Sequence, residues 1–336
     1  MLLETTAAPA VIERLFAQSG AAIDKLAGVL SDAKVRVAVT VARGSSDHAA
    51  SHLSYLLMSR MGLLVSSLPP SVITLHHAPI KGEGLAALSF SQSGQSPDLV
   101  QTMAALAARG AVTAAFVNDT HSPLAKAVRH VIDLQAGAEQ SVAATKSFIA
   151  QLAAGLRLYV AWANDSDLRI ALPSLPDTLA VAVESDWSAA IEALRDADRL
   201  FVIGRGVSLA IASEMALKFK EVCGIQAEAF SAAEVKHGPM ALIDAGYPVL
   251  LLAPRGPGQA ELIALADELR GRGARVLLAA ASNHAHAELP VVSAKHDALD
   301  TVSIVQSFYP MVEALARARG HDPDRPPHLN KVTKTT

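Results

Sequence analysis

The sequence predicts an α/β protein built from two tandem lobes, each a doubly wound parallel sheet flanked by helices. Three observations support this fold class. Apolar runs of strand length alternate with longer helical segments, as they do in βαβ units. The same alternation occurs twice along the chain, with its turn residues in one register. The chain of 336 residues also suits two domains, because a domain usually contains roughly 100–200 residues.

The repeat is visible in the turns that follow corresponding strands. Arg43-Gly44 follows one β-branched run, and Arg205-Gly206 follows a similar run 162 residues later. Glycines and polar residues mark turns, so a shared register of such residues predicts two copies of one unit. The same offset pairs Ala50 with Ala212, Ser51 with Ser213, Gly62 with Gly224 and Gly94 with Gly256, and one more residue pairs Arg109-Gly110 with Arg272-Gly273.

Each copy has the same predicted order of elements: helix, strand, Gly/Ser turn, helix, strand, Gly-rich turn, helix, strand. The first helices are expected at residues 8–31 and 178–196, and the first strands at 35–41 and 200–203. The second strands are expected at 85–90 and 248–253, the helices after them at 97–109 and 259–272, and the third strands at 112–117 and 275–280. The resulting domains are a first lobe at 1–163, a linker at 164–177, a second lobe at 178–320 and a tail at 321–336 that closes the site.

Composition narrows the class of protein. Apolar residues make up 51% and charged residues 18% of the chain, which is enough to fill two cores. A net charge of −3 gives no reason to expect nucleic acid or an anionic membrane as a partner. No apolar run approaches the roughly 20 residues of a membrane helix, and no signal peptide is visible. The single cysteine, Cys223, allows no disulfide framework, so we expect a cytoplasmic protein.

A hydroxyl-rich loop, Ser91-Gln92-Ser93-Gly94-Gln95-Ser96, separates a predicted strand from a helix that starts at Pro97. Helix N–H groups and the positive end of the helix dipole favour an anion there. The loop lacks the lysine of the nucleotide P-loop, so we expect a small phosphomonoester. Ser45 and Ser46 end the preceding strand and would line the same crevice. The alternative is that these serines only cap helices. The corresponding loop at 254–258 has no hydroxyl and is expected to have another role.

Charged residues cluster on one predicted helix of the second lobe. Glu214, Lys218 and Glu221 lie four and three residues apart, so they share a helix face. Such a pattern usually forms a solvated stripe of ion pairs. Two observations favour a chemical role instead. The helix directly follows the turn at 205–208 and so begins in the crevice, and the first copy has His52, Leu56 and Ser59 at the matching positions.

His237 precedes Gly238-Pro239 and is therefore predicted to lie in a turn. Most loop histidines are simply surface residues, but histidine is also the usual proton carrier near neutral pH. The other conspicuous histidines show no spacing typical of metal ligands, and we interpret them as structural or surface residues: His76, His77, His284 and His286. No metal and no cofactor are expected.

Four motifs together resemble the sugar isomerase (SIS) family, in particular the isomerase half of glucosamine-6-phosphate synthase. They are Ser91-Gln92-Ser93-Gly94, Ala136-Gly137-Ala138-Glu139 with Val142-Ala143-Ala144-Thr145-Lys146, Ala216-Leu217-Lys218-Phe219-Lys220-Glu221, and Glu234-Val235-Lys236-His237-Gly238-Pro239. The resemblance covers nearly the whole chain and extends into the tail at Pro326, Leu329 and Lys331.

The resemblance implies a role for each matching residue. Glu221 would move a proton between C1 and C2, with Lys218 beside it. His237 would open the sugar ring in the neighbouring subunit's site, which implies a homodimer. Lys331 would contact the open-chain sugar or condense with it, and Val142 would contact it through its backbone. The sugar phosphate would be held by Ser46, Ser91, Gln92, Ser93 and Ser96, with Ser45 beside them.

One departure from the synthase affects the expected reaction. The synthase has an N-terminal glutaminase domain with a catalytic cysteine, whereas we expect none in this protein, in which Cys223 lies just beyond Glu221. The stretch Glu139-Gln140-Ser141-Val142-Ala143-Ala144-Thr145-Lys146 is also similar to stand-alone deaminases of the family. We therefore expect a glucosamine-6-phosphate deaminase/isomerase that forms fructose 6-phosphate and ammonia through an open-chain enolamine.

Two alternatives stay open within enzymes: another phosphosugar aldose–ketose isomerase, or a fructosamine-phosphate deglycase. A phosphosugar-binding regulator is the alternative of another class. A regulator has little need for Glu221, His237 and Lys331 together, so these three residues favour an enzyme.

Overall fold

The computed structural model describes residues 1–281 and 284–331, which form two compact units. The N-terminal unit contains Ala10–Glu139, Lys146–Pro173 and residues 330–331. The C-terminal unit contains Met1–Pro9, Gln140–Thr145 and Ser174–Leu329. In the predicted tail, residues 332–336 lie outside the described part of the chain.

Each unit contains one five-stranded sheet in which every pair of neighbouring strands is parallel. The N-terminal unit has the order β2-β1-β3-β4-β5, and the C-terminal unit has the equivalent order β7-β6-β8-β9-β10. The predicted fold class of two tandem doubly wound lobes is therefore confirmed. The strands are β1 Val37–Val41, β2 Leu64–Ser67, β3 Leu85–Ser91, β4 Val112–Val117, β5 His130–Asp133, β6 Arg199–Gly204, β7 Gln226–Ser231, β8 Pro248–Ala253, β9 Arg275–Ala281 and β10 Leu289–Val291.

Helices connect the strands and cover the sheets, and no helix among the described residues is long and apolar enough to cross a membrane. The helices are α1 Leu2–Thr6, α2 Ala8–Gln18, α3 Gly20–Asp32, α4 Ser45–Met61, α5 Ser71–Thr74, α6 Pro97–Ala108, α7 Pro123–Ala127, α8 Lys146–Ala163, α9 Ser166–Ala171, α10 Leu175–Ala182, α11 Ser188–Leu194, α12 Ser208–Cys223, α13 Ala232–Val235, α14 Gln259–Gly271 and α15 Asp300–Ala318. Short 3-10 helices occupy Leu172–Ser174, Pro239–Leu242 and Asp297–Leu299.

The central strands form the core of each unit. Every residue of β3 and of β8 is buried, as expected for parallel strands with helices on both faces. In the N-terminal unit, Phe90 of β3 stacks on Phe116 of β4 with ring centroids 4.5 Å apart. Each central strand thus delivers its carboxyl end, and the loop that follows, from a rigid position.

Two predicted helices are each divided in the structure. The helix expected at 8–31 is interrupted at Ser19, whose hydroxyl donates to the Asp133 carbonyl at 2.7 Å. The helix expected at 178–196 is replaced by α10 and α11. Before α11 begins, the Trp187 indole donates to the Pro290 carbonyl at 2.9 Å. In both cases a bond to a distant strand region coincides with the break.

The short segments at the unit boundaries also differ from the predicted domains. Met1–Pro9 and Gln140–Thr145 belong to the C-terminal unit, although both fall within the range predicted for the first lobe. The Met1 ammonium contacts the Asp324 carboxylate, and the Val142 N–H donates to the Asp324 carbonyl at 3.3 Å. The stretch predicted as a linker is largely helical, since it contains α9 and the start of α10.

Candidate functional site

The loops after β1 and β3 meet at one edge of the N-terminal sheet. These strands are neighbours, with Val41 in register with Ser89, while their onward connections lead to β2 on one side and β4 on the other. Such a switch in connection direction opens a crevice at the carboxyl ends of parallel strands, where ligands bind in open α/β sheets. The structure thus brings residues 45–46 and 91–96 to the same edge, as predicted.

The hydroxyls at this edge share one hydrogen-bond pattern. Ser91 Oγ accepts the Gly94 N–H at 3.0 Å, and Ser93 Oγ accepts the Gln95 N–H at 3.3 Å. Ser46 Oγ accepts an amide hydrogen of Gln151 at 3.0 Å. Within the described chain, none of these three hydroxyls donates its own hydrogen. A hydroxyl has one hydrogen and two lone pairs, so each of them can still donate to an anion.

Helix capping does not account for the serines here. Ser96 occupies the N-cap position of α6, with Pro97 as the first helical residue, but its side chain makes no capping bond. The N-cap of α4 is Gly44, which places Ser45 and Ser46 within the first turn. Two helix N-termini therefore lie at this edge, and their N–H groups and dipoles favour negative charge.

An ion pair beside the crevice is a feature that sequence reasoning missed. Arg43 follows β1 and donates to Asp98 Oδ2 from Nε at 3.0 Å and from Nη2 at 2.8 Å. Asp98 is buried in the first turn of α6. The charge of Arg43 is therefore balanced, and hydroxyls and helix termini would provide most of the attraction for an anion. The repeat offered a signal, because Arg205 pairs with Glu261 at 3.0 Å at the matching place.

Gly94 gives the loop its path. Its φ of +62° is in the left-handed region, and a Cβ at this position would lie 2.2 Å from Ser122 Oγ. Its carbonyl accepts the Leu124 N–H at 3.1 Å. Only glycine allows both this backbone conformation and this close approach.

The matching edge of the C-terminal unit has a different chemistry. Ser208, at the repeat position of Ser46, is buried and its hydroxyl is used internally: it accepts the Arg205 N–H at 2.9 Å and lies 3.3 Å from the Leu252 carbonyl. Arg255 forms a bidentate ion pair with buried Asp300, both contacts being 2.7 Å. This hydrogen bonding raises the pKa of the Arg255 guanidinium. The arginine of this loop is thus committed to the protein itself.

The charged cluster of α12 is buried and is not a solvated stripe. The side chains of Lys218 and Glu214 are 1% and 0% exposed, and that of Glu221 is 21% exposed. Lys218 Nζ lies 3.4 Å from Glu214 Oε1 and also donates to Glu221 Oε2. Tyr309 donates to Glu214 Oε1 at 3.2 Å. Burial disfavours the ammonium, yet the two carboxylates more than compensate and raise the pKa of Lys218.

The position of Glu221 along α12 corrects one expectation. The helix begins at Ser208, at the carboxyl edge of the sheet, but Glu221 lies in its last turn. At 1.5 Å per residue the two ends are about 20 Å apart. The start of α12 at the crevice, as predicted, therefore does not place Glu221 there. Glu221 instead lies at the opposite end of the helix, near the left-handed cap residue Gly224.

The remaining predicted residues lie in separate places. His237 is exposed in the turn between α13 and a 3-10 helix, as predicted, and its N–H donates to the Glu234 carbonyl at 2.9 Å. In the N-terminal unit, Lys331 donates to Glu139 Oε2 at 3.0 Å. The Glu139 side chain is fully buried and also accepts bonds from the N–H and hydroxyl of Ser147, at 3.1 Å and 2.6 Å.

The only cysteine of the sequence is unsuited to act as a nucleophile. The Cys223 thiol is buried, lies 3.5 Å from the Val312 carbonyl, and is two residues beyond Glu221. Burial raises its pKa to about 12, despite the opposing effect of Arg319. The thiolate, which is the reactive form, is therefore scarce at neutral pH.

No group of three or more His, Cys, Asp or Glu side chains in the described chain is arranged to hold a metal ion. A cavity of about 590 Å³ lies in the C-terminal unit and is lined by Arg199, Asp244 and Arg275 among others. These residues are at the amino ends of β6, β8 and β9 or just before them. Ligands in such folds bind at the carboxyl ends, so this cavity is not the candidate site.

Comparison with known proteins supports the resemblance to the SIS family that the sequence motifs indicate. Residues 30–161 and 193–292 match the SIS domain family. Glutamine–fructose-6-phosphate aminotransferase (isomerizing) from Methanothermobacter thermautotrophicus is 31% identical over 318 residues, which cover 92% of this chain and 53% of that protein. The chain thus spans about half the length of the curated relatives it matches.

Two solved structures are similar over nearly their whole length. A proposed phosphosugar isomerase from Silicibacter pomeroyi DSS-3 has 42% sequence identity and a TM-score of 0.91, covering 96% of this chain and 99% of the other. Glucosamine-6-phosphate deaminase from Thermotoga maritima has 23% identity and a TM-score of 0.77, covering 99% of both chains. At that lower identity the similarity establishes the fold only. The family match, the curated relatives and the two parallel sheets show that the chain belongs to the SIS-domain family.

Proposed function

We propose that this protein is a phosphosugar isomerase that converts glucosamine 6-phosphate into fructose 6-phosphate and releases ammonia. The observation that carries the proposal is the buried Glu214–Lys218–Glu221 cluster. It fixes one partly exposed carboxylate, Glu221, against a buried ammonium. A positioned carboxylate is the group that proton transfer between two adjacent sugar carbons requires. Burying charged groups is costly even when they are paired, and an apolar replacement is often neutral or stabilising, which favours a role beyond stability.

The phosphate of the substrate is assigned to the hydroxyl-rich edge of the N-terminal unit. Ser46, Ser91 and Ser93 each have a hydrogen to donate, and the N-termini of α4 and α6 add their N–H groups. Gln92 and Ser96 belong to the loop at 91–96, and Ser45 precedes Ser46 in the first turn of α4. A dianionic phosphate held by neutral donors and helix dipoles needs no lysine. The Arg43–Asp98 pair leaves this edge without a strong net charge, which suits a small phosphomonoester better than a polyphosphate.

The chemical step is a proton transfer within the open-chain sugar. Glu221 removes the C2 hydrogen of the amino aldose, the electrons of the C2–H bond form a C1–C2 enolamine, and O1 takes up a proton from water to become a hydroxyl. The same carboxyl returns its proton to C1, so that C1 becomes CH2OH, and the nitrogen gives up a proton to water as C2 becomes an imine. Water adds to the imine carbon and ammonia leaves, which gives the ketose. Lys218, whose raised pKa keeps it protonated, holds the Glu221 carboxylate in place.

The other family residues complete the proposal. His237 is assigned to ring opening, because the neutral imidazole has one ring nitrogen that can accept a proton and one that can donate one. Its reach into a neighbouring subunit's site implies a homodimer. Lys331 would leave Glu139 to contact the sugar at C1 or to condense with it, and Val142 would contribute a backbone contact. We place the protein in the cytoplasm, as a cofactor-independent enzyme that uses neither membrane nor nucleic acid.

A simple aldose–ketose isomerase is the second candidate. The relative from Silicibacter pomeroyi, at 42% identity, is described as a proposed phosphosugar isomerase. The same proton transfer between C1 and C2 would serve a substrate with a hydroxyl at C2, in which case no ammonia forms. The two candidates differ only in the group on C2.

Ammonia release from glucosamine 6-phosphate by the purified protein tests the proposal. We expect turnover that is strongly reduced in E221Q, together with loss of the exchange of the C2 hydrogen with solvent deuterium. General-base catalysis contributes about 10²–10⁴-fold in rate, so activity should fall by that factor. E192Q, which changes a carboxylate that is 80% exposed, is the matched control and should keep full activity.

Three results would contradict the proposal in different ways. Turnover of glucose 6-phosphate to fructose 6-phosphate, with no ammonia release from glucosamine 6-phosphate, would favour the simple isomerase. Tight binding of phosphosugars with no turnover of any would favour a regulator. Retained C2 hydrogen exchange in E221Q would remove Glu221 as the base.

A further inference from the structure

Gln151 is a buried amide on α8, with 1% of its surface exposed. Its Nε2 donates to Ser46 Oγ at 3.0 Å. Helices α8 and α4 pack closely here, since a Cβ at Gly155 would lie 3.4 Å from Leu53 Cβ. This packing keeps Gln151 Nε2 close to Ser46 Oγ. Gly155 is one helical turn beyond Gln151, and Leu53 is about two turns beyond Ser46. The two contacts therefore lie along one line of helix packing.

The bond from Gln151 determines how Ser46 can interact with a ligand. By accepting an N–H, Ser46 uses a lone pair and keeps its hydrogen. That hydrogen is donated to no group in the described chain, and Ser46 sits at the same edge as the loop at 91–96. Its repeat counterpart Ser208 shows the opposite case, because that buried hydroxyl accepts the Arg205 N–H and lies within hydrogen-bond distance of the Arg205 and Leu252 carbonyls.

The buried amide of Gln151 lowers the stability of the fold, which a side chain with a purely structural role would not do. Its Oε1 is buried and has no hydrogen-bond partner in the described chain. An unsatisfied buried acceptor is destabilising, and an apolar side chain of similar size would avoid the penalty. Unlike an apolar side chain, the glutamine donates an N–H to Ser46.

We infer that Gln151 is a positioning residue for the substrate's phosphate: it holds the Ser46 hydroxyl as a hydrogen-bond donor to the anion. The inference rests on the proposed function, because it requires a phosphosugar at the loop of residues 91–96. Gln151 acts through Ser46 and not by touching the substrate. The reverse orientation of the amide predicts that Gln151 weakens phosphate binding. In that orientation Oε1 would accept the hydrogen bond from the Ser46 hydroxyl and so compete with the phosphate.

Titration calorimetry with fructose 6-phosphate on the full chain tests this role in the wild type, Q151M, S46A and the double variant. Methionine has a similar volume, so the core should tolerate it, and urea unfolding checks this. We expect Q151M and S46A each to weaken binding about tenfold, the loss of roughly one hydrogen bond to a charged group. The double variant should bind no more weakly than S46A, because both changes remove the same interaction. In turnover, KM should rise in Q151M while kcat stays within about twofold of the wild type.

Unchanged binding by Q151M, tighter binding, or losses that add fully in the double variant would each overturn the inference. If S46A weakens binding and Q151M does not, the inference fails while the proposed function stands. If the wild type binds neither fructose 6-phosphate nor glucosamine 6-phosphate, both fail together. If Q151M does not fold, Q151E is the variant that tests the inference. Its carboxylate would accept a hydrogen bond from the Ser46 hydroxyl and would repel the phosphate. A loss smaller than about tenfold would then refute the role.

Discussion

Lys218 lies in the interior of the C-terminal unit, between two carboxylates of its own helix. Charges are rarely this deeply buried unless they are paired. The three residues are also a unit in chemistry, because the ammonium that neutralises Glu214 is the same one that orients Glu221. A change at Lys218 should therefore affect both stability and activity.

The variant K218M keeps the length of the side chain but removes the ammonium from both carboxylates. Removing one partner of a buried ion pair typically costs about 3–5 kcal/mol, and we expect the free energy of unfolding to fall by that amount. Urea denaturation near neutral pH measures it. K220M, at an exposed lysine on the same helix, should change stability by less than about 0.5 kcal/mol. Equal stability of the two variants would argue against a paired cluster.

His52 makes stability depend on pH. It is buried on α4, and burial lowers its pKa from 6.5 to about 4. The unfolded chain therefore binds more protons than the folded chain between these values, so stability is fully present above about pH 6.5 and is lost as the pH falls toward 4. The total is about 3 kcal/mol at 1.36 kcal/mol per pKa unit.

Unfolding free energies of the wild type and H52L near pH 7 and pH 5 test this dependence. We expect the wild type to lose about 2 kcal/mol more than H52L over this interval, by the same proton linkage. H76Q, at an exposed histidine, should keep the wild-type dependence. A wild-type slope retained in H52L would show that another group is responsible.

At the scale of elements, matching loops of the two units differ in how their polar groups are used. Both units pair an arginine after the first strand of the repeat with an acid in the first turn of a later helix: Arg43 with Asp98, and Arg205 with Glu261. This pair is thus part of the shared fold. The loops at 91–96 and 254–258 differ from each other. The loop at 91–96 has hydroxyls that can donate, whereas in the loop at 254–258 Arg255 forms an ion pair with Asp300. Only the former is left available for a ligand.

The loop at 91–96 depends on Gly94, so G94A should disturb it. The added methyl group would lie 2.2 Å from Ser122 Oγ at a φ of +62°, and the loop must move. We expect a loss of about 1–3 kcal/mol in stability and about tenfold weaker binding of fructose 6-phosphate, the loss of roughly one oriented donor. Denaturation and calorimetry measure the two effects.

G110A is the matched control for this prediction. Gly110 also has a positive φ, of +90°, but a Cβ there meets nothing within 4 Å. It should lose stability through backbone strain and keep its affinity for the ligand. If G94A bound as tightly as G110A, the loop would not hold the phosphate.

At the scale of the whole molecule, the two-lobed architecture and several strands could be predicted from the sequence. The alternation of elements and the 162-residue repeat predict two lobes, and both sheets have the same order. These features are local or periodic, so they can be read along the chain. The predicted strands at 112–117 and 248–253 agree with β4 and β8 residue for residue.

What could not be predicted depends on contacts between distant residues. The breaks at Ser19 and Trp187 coincide with bonds to strand regions 114 and 103 residues away. The Lys331–Glu139 pair joins residues 192 apart, and the Gln151–Ser46 bond joins residues 105 apart. A one-dimensional pattern carries no signal for such pairs. The distance of Glu221 from the crevice is likewise not visible in the motif, because the length of α12 separates this residue from the turn that precedes the helix.

The isolation of Cys223 has a practical consequence for spectroscopy. With a pKa of about 12, only about one thiol in 10⁵ is ionised at pH 7, and the side chain is buried. A cysteine introduced on the surface of either unit would therefore react selectively with maleimide dyes or spin labels, without prior removal of the native thiol. Two such labels, one in each unit, would allow the distance between the units to be followed in solution as a phosphosugar is added.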